Sequence, residues 1–332
     1  MSGLKIKING NEILLTKPSF LIGNGINYYD AHNLSWANLL IELFPEEKRK
    51  EIVESDAENQ QKINLKGLTY PEIAELAVIY HQNQNPKEKA IYKIRKDICK
   101  KVHEFENCLY SKNLNSKQEI VINFAKNNNI PIMTTNYDFS LLKPLKIQKS
   151  KNKIDYLGEK VEDPFWTKTY NSKSRPWRFP CTAYFREEPF TGLTKLDVCT
   201  KFAIWHLHGM KRYSSSICLN NKDYADIITK IKKHLKDIDG KWEKDTSWLN
   251  IFMNTDLIIF GLSLDSEESD LRWLLVERFL KQNQNIIHKT VYIYTKDEEM
   301  PNGKKKFFES IGIDCLKLSY EEIYSLRFLI KE

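Results

Sequence analysis

Short apolar runs that stop abruptly at glycine or at a polar cluster recur along this chain, and they constrain its fold more than any other feature. Ser19 to Ile22 ends at Gly23, and Ile130 to Met133 ends in Thr134-Thr135-Asn136-Tyr137-Asp138. Lys201 to Leu207 runs into His208-Gly209, and Asp256 to Phe260 is followed by Gly261-Leu262-Ser263-Leu264. Such runs read as strands buried on both faces and closed by a turn. Lys289 to Thr295 and Ile313 to Leu318 add two more. Helical patterns lie between them, and strands alternating with helices imply a mostly parallel sheet covered on both sides. The expected fold class is therefore α/β, a Rossmann-like doubly wound sheet, with residues 1–332 forming one domain.

Helical spacing follows the first run. Trp36, Leu39, Leu40 and Leu43 share one face from Ser35 to Phe44, with Ser35 as the predicted N-cap. Residues 45–128 read as mostly helical, an insertion between two strands of the same sheet. Within it Pro71 suits a first helical position, with Ile73, Leu76, Ala77 and Tyr80 in register behind it, and a second helix covers Glu88 to Leu109. Residues 139–200 are irregular, rich in Lys, Pro and aromatics, and read as a loop region with short strands over the site. Further helices are predicted from Asp223 to Leu235, after Asp265 (an N-cap with Glu268 three residues on), and from Lys304 to Ser310.

The composition is that of a globular chain of 332 residues, 41% hydrophobic and 29% charged, and the net charge of +7 is small and scattered. A solvated surface is the expectation, and nucleic acid is not an expected partner. No stretch approaches the roughly 18 apolar residues of a membrane span, and the first fifteen residues lack the apolar core of a signal peptide. The six cysteines form no Cys-x-x-Cys pair, so no zinc ribbon and no metal site are expected, and the thiols suit the cytoplasm.

Chemistry concentrates where the strands end, which is where open α/β sheets bind ligands. Gly23-Asn24-Gly25-Ile26-Asn27 is a turn that brings backbone amides close to a pyrophosphate, or else a tight turn with no ligand. It is not the dehydrogenase fingerprint, because Tyr28 stands where the third glycine would. Asn136 and Asp138 point the same way from an extended segment, suiting a ribose diol and a water, or else forming Asx-turns. His206 and His208 offer a general base, a metal pair or two structural histidines. Ser263 offers a hydroxyl to a ribose or phosphate oxygen, or else belongs to a strand-to-helix turn capped by Asp265.

The order of these motifs, together with Ser35-Trp36 followed by Leu39-Leu40, resembles the sirtuin superfamily and, within it, the sirtuin-like NADase domains of bacterial anti-phage defence proteins. The resemblance spans about residues 18 to 283. It implies a sirtuin-type sheet without the zinc module, since the four-cysteine spacing is missing, as is the Pro-Asp-Phe-Arg segment after the glycine turn. Both departures point away from lysine deacylation and towards hydrolysis of NAD⁺ to nicotinamide and ADP-ribose in abortive infection. By the same resemblance Asn136 and His208 would be catalytic. Gly23, Asn24, Gly25, Asn27, Thr135, Asp138, Gly261 and Ser263 would bind the dinucleotide. NAD⁺ would be substrate, with no resident cofactor, and a homo-oligomer or a defence partner subunit would gate the activity. Asn24 departs from the alanine usual in sirtuins. An NAD⁺- or ADP-ribose-sensing subunit without catalysis is the alternative, and the glycine turn with His-x-His-Gly also resembles an AbiH-like abortive-infection group.

Overall fold

The computed structural model describes residues 4–8, 10–28, 36–52, 68–86, 89–111, 116–142, 144, 147–149, 154–156, 159–161, 184–185, 202–211, 214–238, 248–265, 268–282 and 288–331. The predicted cap Ser35 lies outside them.

The central sheet contains β3 (Pro18–Ile22), β4 (Ile132–Thr134), β8 (Tyr184–Phe185), β9 (Ile204–His206), β10 (Asp256–Phe260), β11 (Thr290–Thr295) and β12 (Ile313–Leu318). Across it the order is β12-β11-β10-β3-β4-β9-β8. Every neighbouring pair is parallel except β8 with β9. The six parallel strands thus run outward from β3 in both directions, which is the Rossmann-like order with its switch point between β3 and β10. A separate antiparallel sheet joins β1 (Leu4–Ile8) to β2 (Asn11–Leu15) and to β13 (Leu329–Lys331). A third holds β5 (Ile147–Lys149), β6 (Ile154–Tyr156) and β7 (Glu159–Val161), so the irregular stretch does carry short strands.

Alternation along each central strand feeds two cores. Phe20, Ile22, Ile258, Phe260, Val291 and Ile293 face one, with Val121, Ile122 and Ala125 of the helix Ser116–Asn127 and Ile323 and Tyr324 of the helix Tyr320–Tyr324. Leu21, Met133, Leu257, Ile259 and Tyr292 face the other, under the helices Asn221–Ile238, Trp248–Asn254 and Ser269–Gln282. Each such Leu, Ile or Phe adds roughly 1.5–3 kcal/mol by leaving water. Between β3 and β4 the described residues contain helices and no strand: Gly25–Tyr28, Trp36–Ile41, Glu46–Ile52, Tyr70–Gln84, Ala90–Ser111 and Ser116–Asn127. Among the described residues no helix is long and apolar enough to cross a membrane.

Local expectations fare unevenly. The helix at Pro71 is opened by a capping box between Thr69 and Glu72, and its buried face is Ile73, Ala74 and Ala77, while Leu76 is exposed. The helix expected to follow Asp265 begins at Ser269. Glu268 still reaches back to the Asp265 amide at 3.0 Å, so the reciprocal contact exists ahead of the helix rather than inside its first turn.

The sheet is clamped at the end away from the strand C-termini. Arg278 is 2% exposed. Its guanidinium donates to the carbonyls of Phe252, Thr255, His288 and Lys289 and to the Thr290 hydroxyl. Asp256, the first residue of β10, accepts from the amides of Thr16, Lys17 and Lys289. A buried charge is tolerable only with such complete pairing.

Candidate functional site

The loops after β3 and β10 meet backbone to backbone at the switch point. Gly23 N–H donates to the Phe260 carbonyl at 3.1 Å and Gly25 N–H to the Gly261 carbonyl at 2.8 Å. A Cβ on Gly23 would lie 2.3 Å from the Gly261 oxygen, and one on Gly25 2.7 Å from the Gly261 Cα. Gly261 itself has φ +64° with the Tyr324 hydroxyl 2.6 Å from where its Cβ would be. The glycines are thus required by loop-to-loop packing. Two amides expected to face a pyrophosphate are already engaged.

Behind the glycine turn lies a buried polar network. Asn27, 1% exposed, donates through Nδ2 to Asp138 Oδ2 at 3.0 Å, and its Oδ1 accepts from Gln118 at 2.9 Å. Asp138 Oδ1 accepts from the Ser140 amide at 2.8 Å, which is the Asx-turn. Asn136 Nδ2 donates to the Gly23 carbonyl at 3.3 Å, while its buried Oδ1 has no hydrogen-bond partner among the described residues. Asn136 and Asp138 therefore both reach towards the glycine turn, as alternation from one segment requires. A buried ion pair secures this segment: Lys211 meets Glu106, whose other oxygen accepts from the Phe139 amide. Burial and the nearby Asp138 push the Glu106 carboxyl up, opposed by Lys211.

The two histidines part company. His206 ends β9 and donates from Nδ1 to the Asn136 carbonyl at 2.7 Å. Burial holds its pKa below the usual value, against that bond and Asp138. His208 sits just past the strand and donates from Nε2 to Asp270 Oδ2 at 2.9 Å. The edge contact with Tyr224 puts the ring centroids 5.4 Å apart. Burial opposes the imidazolium, but the charge and hydrogen bond of Asp270 outweigh it, with Glu268 adding, and the pKa stands above the ordinary histidine value. Gly209, at φ +96°, turns the chain directly after His208 and would set a Cβ 2.2 Å from the Ser216 carbonyl oxygen.

A cavity of about 430 Å³ opens over these loops. That volume lies in the range of small-molecule sites, about 300–1,000 Å³. One end is walled by Leu40, Tyr70, Pro71, Tyr137 and Leu219, beside His208. The middle is formed by Asn24, Gly25, Thr135, Gly261, Leu262, Ser263 and Glu268. The far end, over β11, is formed by Tyr292 to Thr295, Asp297, Glu298, Tyr320 and Tyr324. Among the described residues its wall carries three carboxylates and neither Lys nor Arg. Burial raises the Glu268 pKa to about 7, with Asp265 adding, while the Ser263 hydroxyl bond and His208 hold it down.

Of the sequence-predicted residues, Asn24, Gly25, Thr135, His208, Gly261 and Ser263 line this cavity. Gly23, Asn27, Asn136 and Asp138 stand behind it, in the network that shapes the turn. Sequence reasoning missed Asp270 and Tyr320, and gave Glu268 only a capping role. The Tyr320 hydroxyl donates to the carbonyls of Gly25 and Ile26 at 3.3 and 3.4 Å. A Ser319-to-Glu322 capping box marks its helix and was readable as sequence, whereas nothing local marks Asp270.

Among the described residues no group of His, Cys, Asp and Glu is arranged to hold a metal ion. Cys99 and Cys315 are half-buried and Cys218 is buried, all three free thiols, with burial pushing each thiol up, which leaves them poor nucleophiles. No family model matches the chain, and no curated protein matches it either.

Proposed function

We propose that this chain is a NAD⁺ glycohydrolase of sirtuin-like type, cleaving NAD⁺ with water to nicotinamide, ADP-ribose and a proton. The observation that carries the reading is the cavity at the β3/β10 switch point. It brings the glycine turn, Thr135, Ser263 and His208 to one space above the strand C-termini, where dinucleotides bind in such sheets.

The electrostatics suit that chemistry. Nicotinamide leaves as a neutral ring, and the sugar left behind carries the positive charge in an oxocarbenium-like state. Of the three carboxylates on the described wall, Glu268 acts on His208 and, in its ionised form, favours the pyridinium and the developing cation, whereas Asp297 and Glu298 lie at the far end over β11. The diphosphate would be met by the Thr135 hydroxyl, by loop amides other than those of Gly23 and Gly25, and by the Ser263 hydroxyl once it leaves Glu268, to which it donates at 3.1 Å. His208 would take the proton from the attacking water, a contribution of about 10²–10⁴-fold. Asn136, whose Oδ1 is buried and has no hydrogen-bond partner among the described residues, would have to turn from Gly23 into the cavity to meet that water or a ribose hydroxyl. The nicotinamide end is assigned to the Tyr70, Pro71 and Leu219 wall beside His208.

The biological role, NAD⁺ depletion in anti-phage defence gated by oligomerisation or a partner subunit, rests on the motif resemblance alone. A second reading, an NAD⁺- or ADP-ribose-sensing subunit, is favoured by one observation: Asn136 is bonded to Gly23 and stands behind the cavity wall.

Mass spectrometry of products after incubating the purified chain with NAD⁺, alone and with lysate of infected cells, decides between them. Release of nicotinamide and ADP-ribose, lost in Asn136→Ala and His208→Ala, is the expected result. Tight binding of NAD⁺ without nicotinamide release selects the sensor, and full activity in both variants removes this site.

A further inference from the structure

We infer that Asp270 is the positioning residue for His208: it holds the imidazole as its Nε2–H tautomer, so that Nδ1 is the nitrogen available for proton transfer. The inference rests on the glycohydrolase reading for its kinetic consequence, but not for its structural content.

Four constraints converge on the ring. The backbone is fixed on the carbonyl side, by the left-handed turn at Gly209 and by the Cys218 amide donating to the His208 carbonyl at 2.9 Å. The ring plane is set by the edge contact with Tyr224. Nε2 is committed to Asp270 Oδ2 at 2.9 Å. A carboxylate accepts and does not donate, so the proton of the neutral ring must sit on Nε2, and the lone pair on Nδ1. Among the described residues, Glu268, just ahead of the helix Ser269–Gln282, adds its charge at the ring, and Tyr224 of the helix Asn221–Ile238 meets it edge-on.

Asp270 is built for this one contact. It is 2% exposed, and its second oxygen Oδ1 has no hydrogen-bond partner among the described residues. It lies in the first turn of the helix Ser269–Gln282, whose N-terminal dipole favours a carboxylate there. A buried carboxylate with one partner is costly as mere packing. Its return is a histidine that stays oriented and gains basicity as water is excluded, the arrangement by which a carboxylate directs a catalytic imidazole.

Nitrogen-15 spectra of histidine-labelled full chain read the tautomer and titration of His208 without any substrate, with His208→Gln assigning the signal. The wild type is expected to show the Nε2–H tautomer. In Asp270→Asn, which keeps the side-chain shape, the His208 pKa should fall and its tautomer become mixed or reversed. In parallel, kcat for NAD⁺ cleavage should drop about 10²-fold or more with KM little changed, and the acidic limb of the pH–rate profile should move with the His208 pKa. An Nδ1–H tautomer in the wild type overturns the inference even if the variant does not fold. So does a variant that folds and keeps either the wild-type tautomer and pKa or the wild-type kcat. If the wild type cleaves no NAD⁺, the glycohydrolase reading falls, and the spectra still decide whether Asp270 sets the ring.

Discussion

Gly25 and Gly261 are bonded backbone to backbone, amide to carbonyl at 2.8 Å, across the two strands at which the sheet reverses its winding. A side chain on any of the three glycines of this contact has nowhere to go, because what it would meet is backbone or the buried Tyr324 hydroxyl. Gly23→Ala is therefore expected to lose about 1–3 kcal/mol or more from overpacking. Urea denaturation measures it, and a midpoint equal to that of the wild type would show the loops to be separable.

Arg278 is the second stability determinant. Arg278→Met removes the partner of four carbonyls at once, and two of these, of Phe252 and Thr255, end the helix Trp248–Asn254 and its turn. Leaving such groups unmatched costs about 3 kcal/mol or more. Arg278→Lys should rescue little, since an ammonium cannot span the fork. Thermal unfolding of the two variants side by side tests both statements.

The Glu268 carboxyl carries a sign that is easily checked. Its folded pKa of about 7 exceeds the ordinary carboxyl value of 4.5 that holds in the unfolded chain, so the native state binds more protons between those limits. Its contribution to stability accordingly falls as pH rises through that window and levels off above it. Glu268→Gln should be more stable than wild type at pH 8 and show less difference at pH 4.5. Denaturant midpoints across the range give the slope, and a constant difference at all pH values would contradict the assignment.

Asn27 separates a structural from a ligand-binding role. Asn27→Ala would take the donor from Asp138 Oδ2 and leave Gln118 only its 3.4 Å bond to the Ile26 carbonyl, at a cost of about 1–3 kcal/mol. NAD⁺ affinity measured on the folded fraction by calorimetry should change less than stability does. A variant of wild-type stability that no longer binds would restore Asn27 to the ligand.

How much of this was legible depends on the range of the interaction. The strands ending at Gly23, Thr134 and Gly261 announce themselves, because burial on both faces writes a continuous apolar run. The hairpin Leu4–Ile8 with Asn11–Leu15 was passed over, although Leu4, Ile6 and Ile8 alternate with Lys5 and Lys7 as a half-buried strand should. The motif positions were readable, but the division between cavity wall and supporting network was not. It depends on side chains such as Gln118 and Tyr320 that arrive from distant helices. Asp270 shows the limit most clearly: it lies 62 residues from His208, and only the packing of its helix on the sheet brings the two together.

One five-residue strand, β10, begins at Asp256 and hands over to Gly261. At about 3.3 Å per residue, roughly 16 Å lies between the grip on Thr16, Lys17 and Lys289 below and the loop above. Salt screens the buried Asp256 and Arg278 little, so distance alone attenuates a new charge on the upper rim, to about 1 kcal/mol at an effective dielectric of about 20. Exchanging ligand chemistry at that rim would therefore cost the foundation only a small part of its hold.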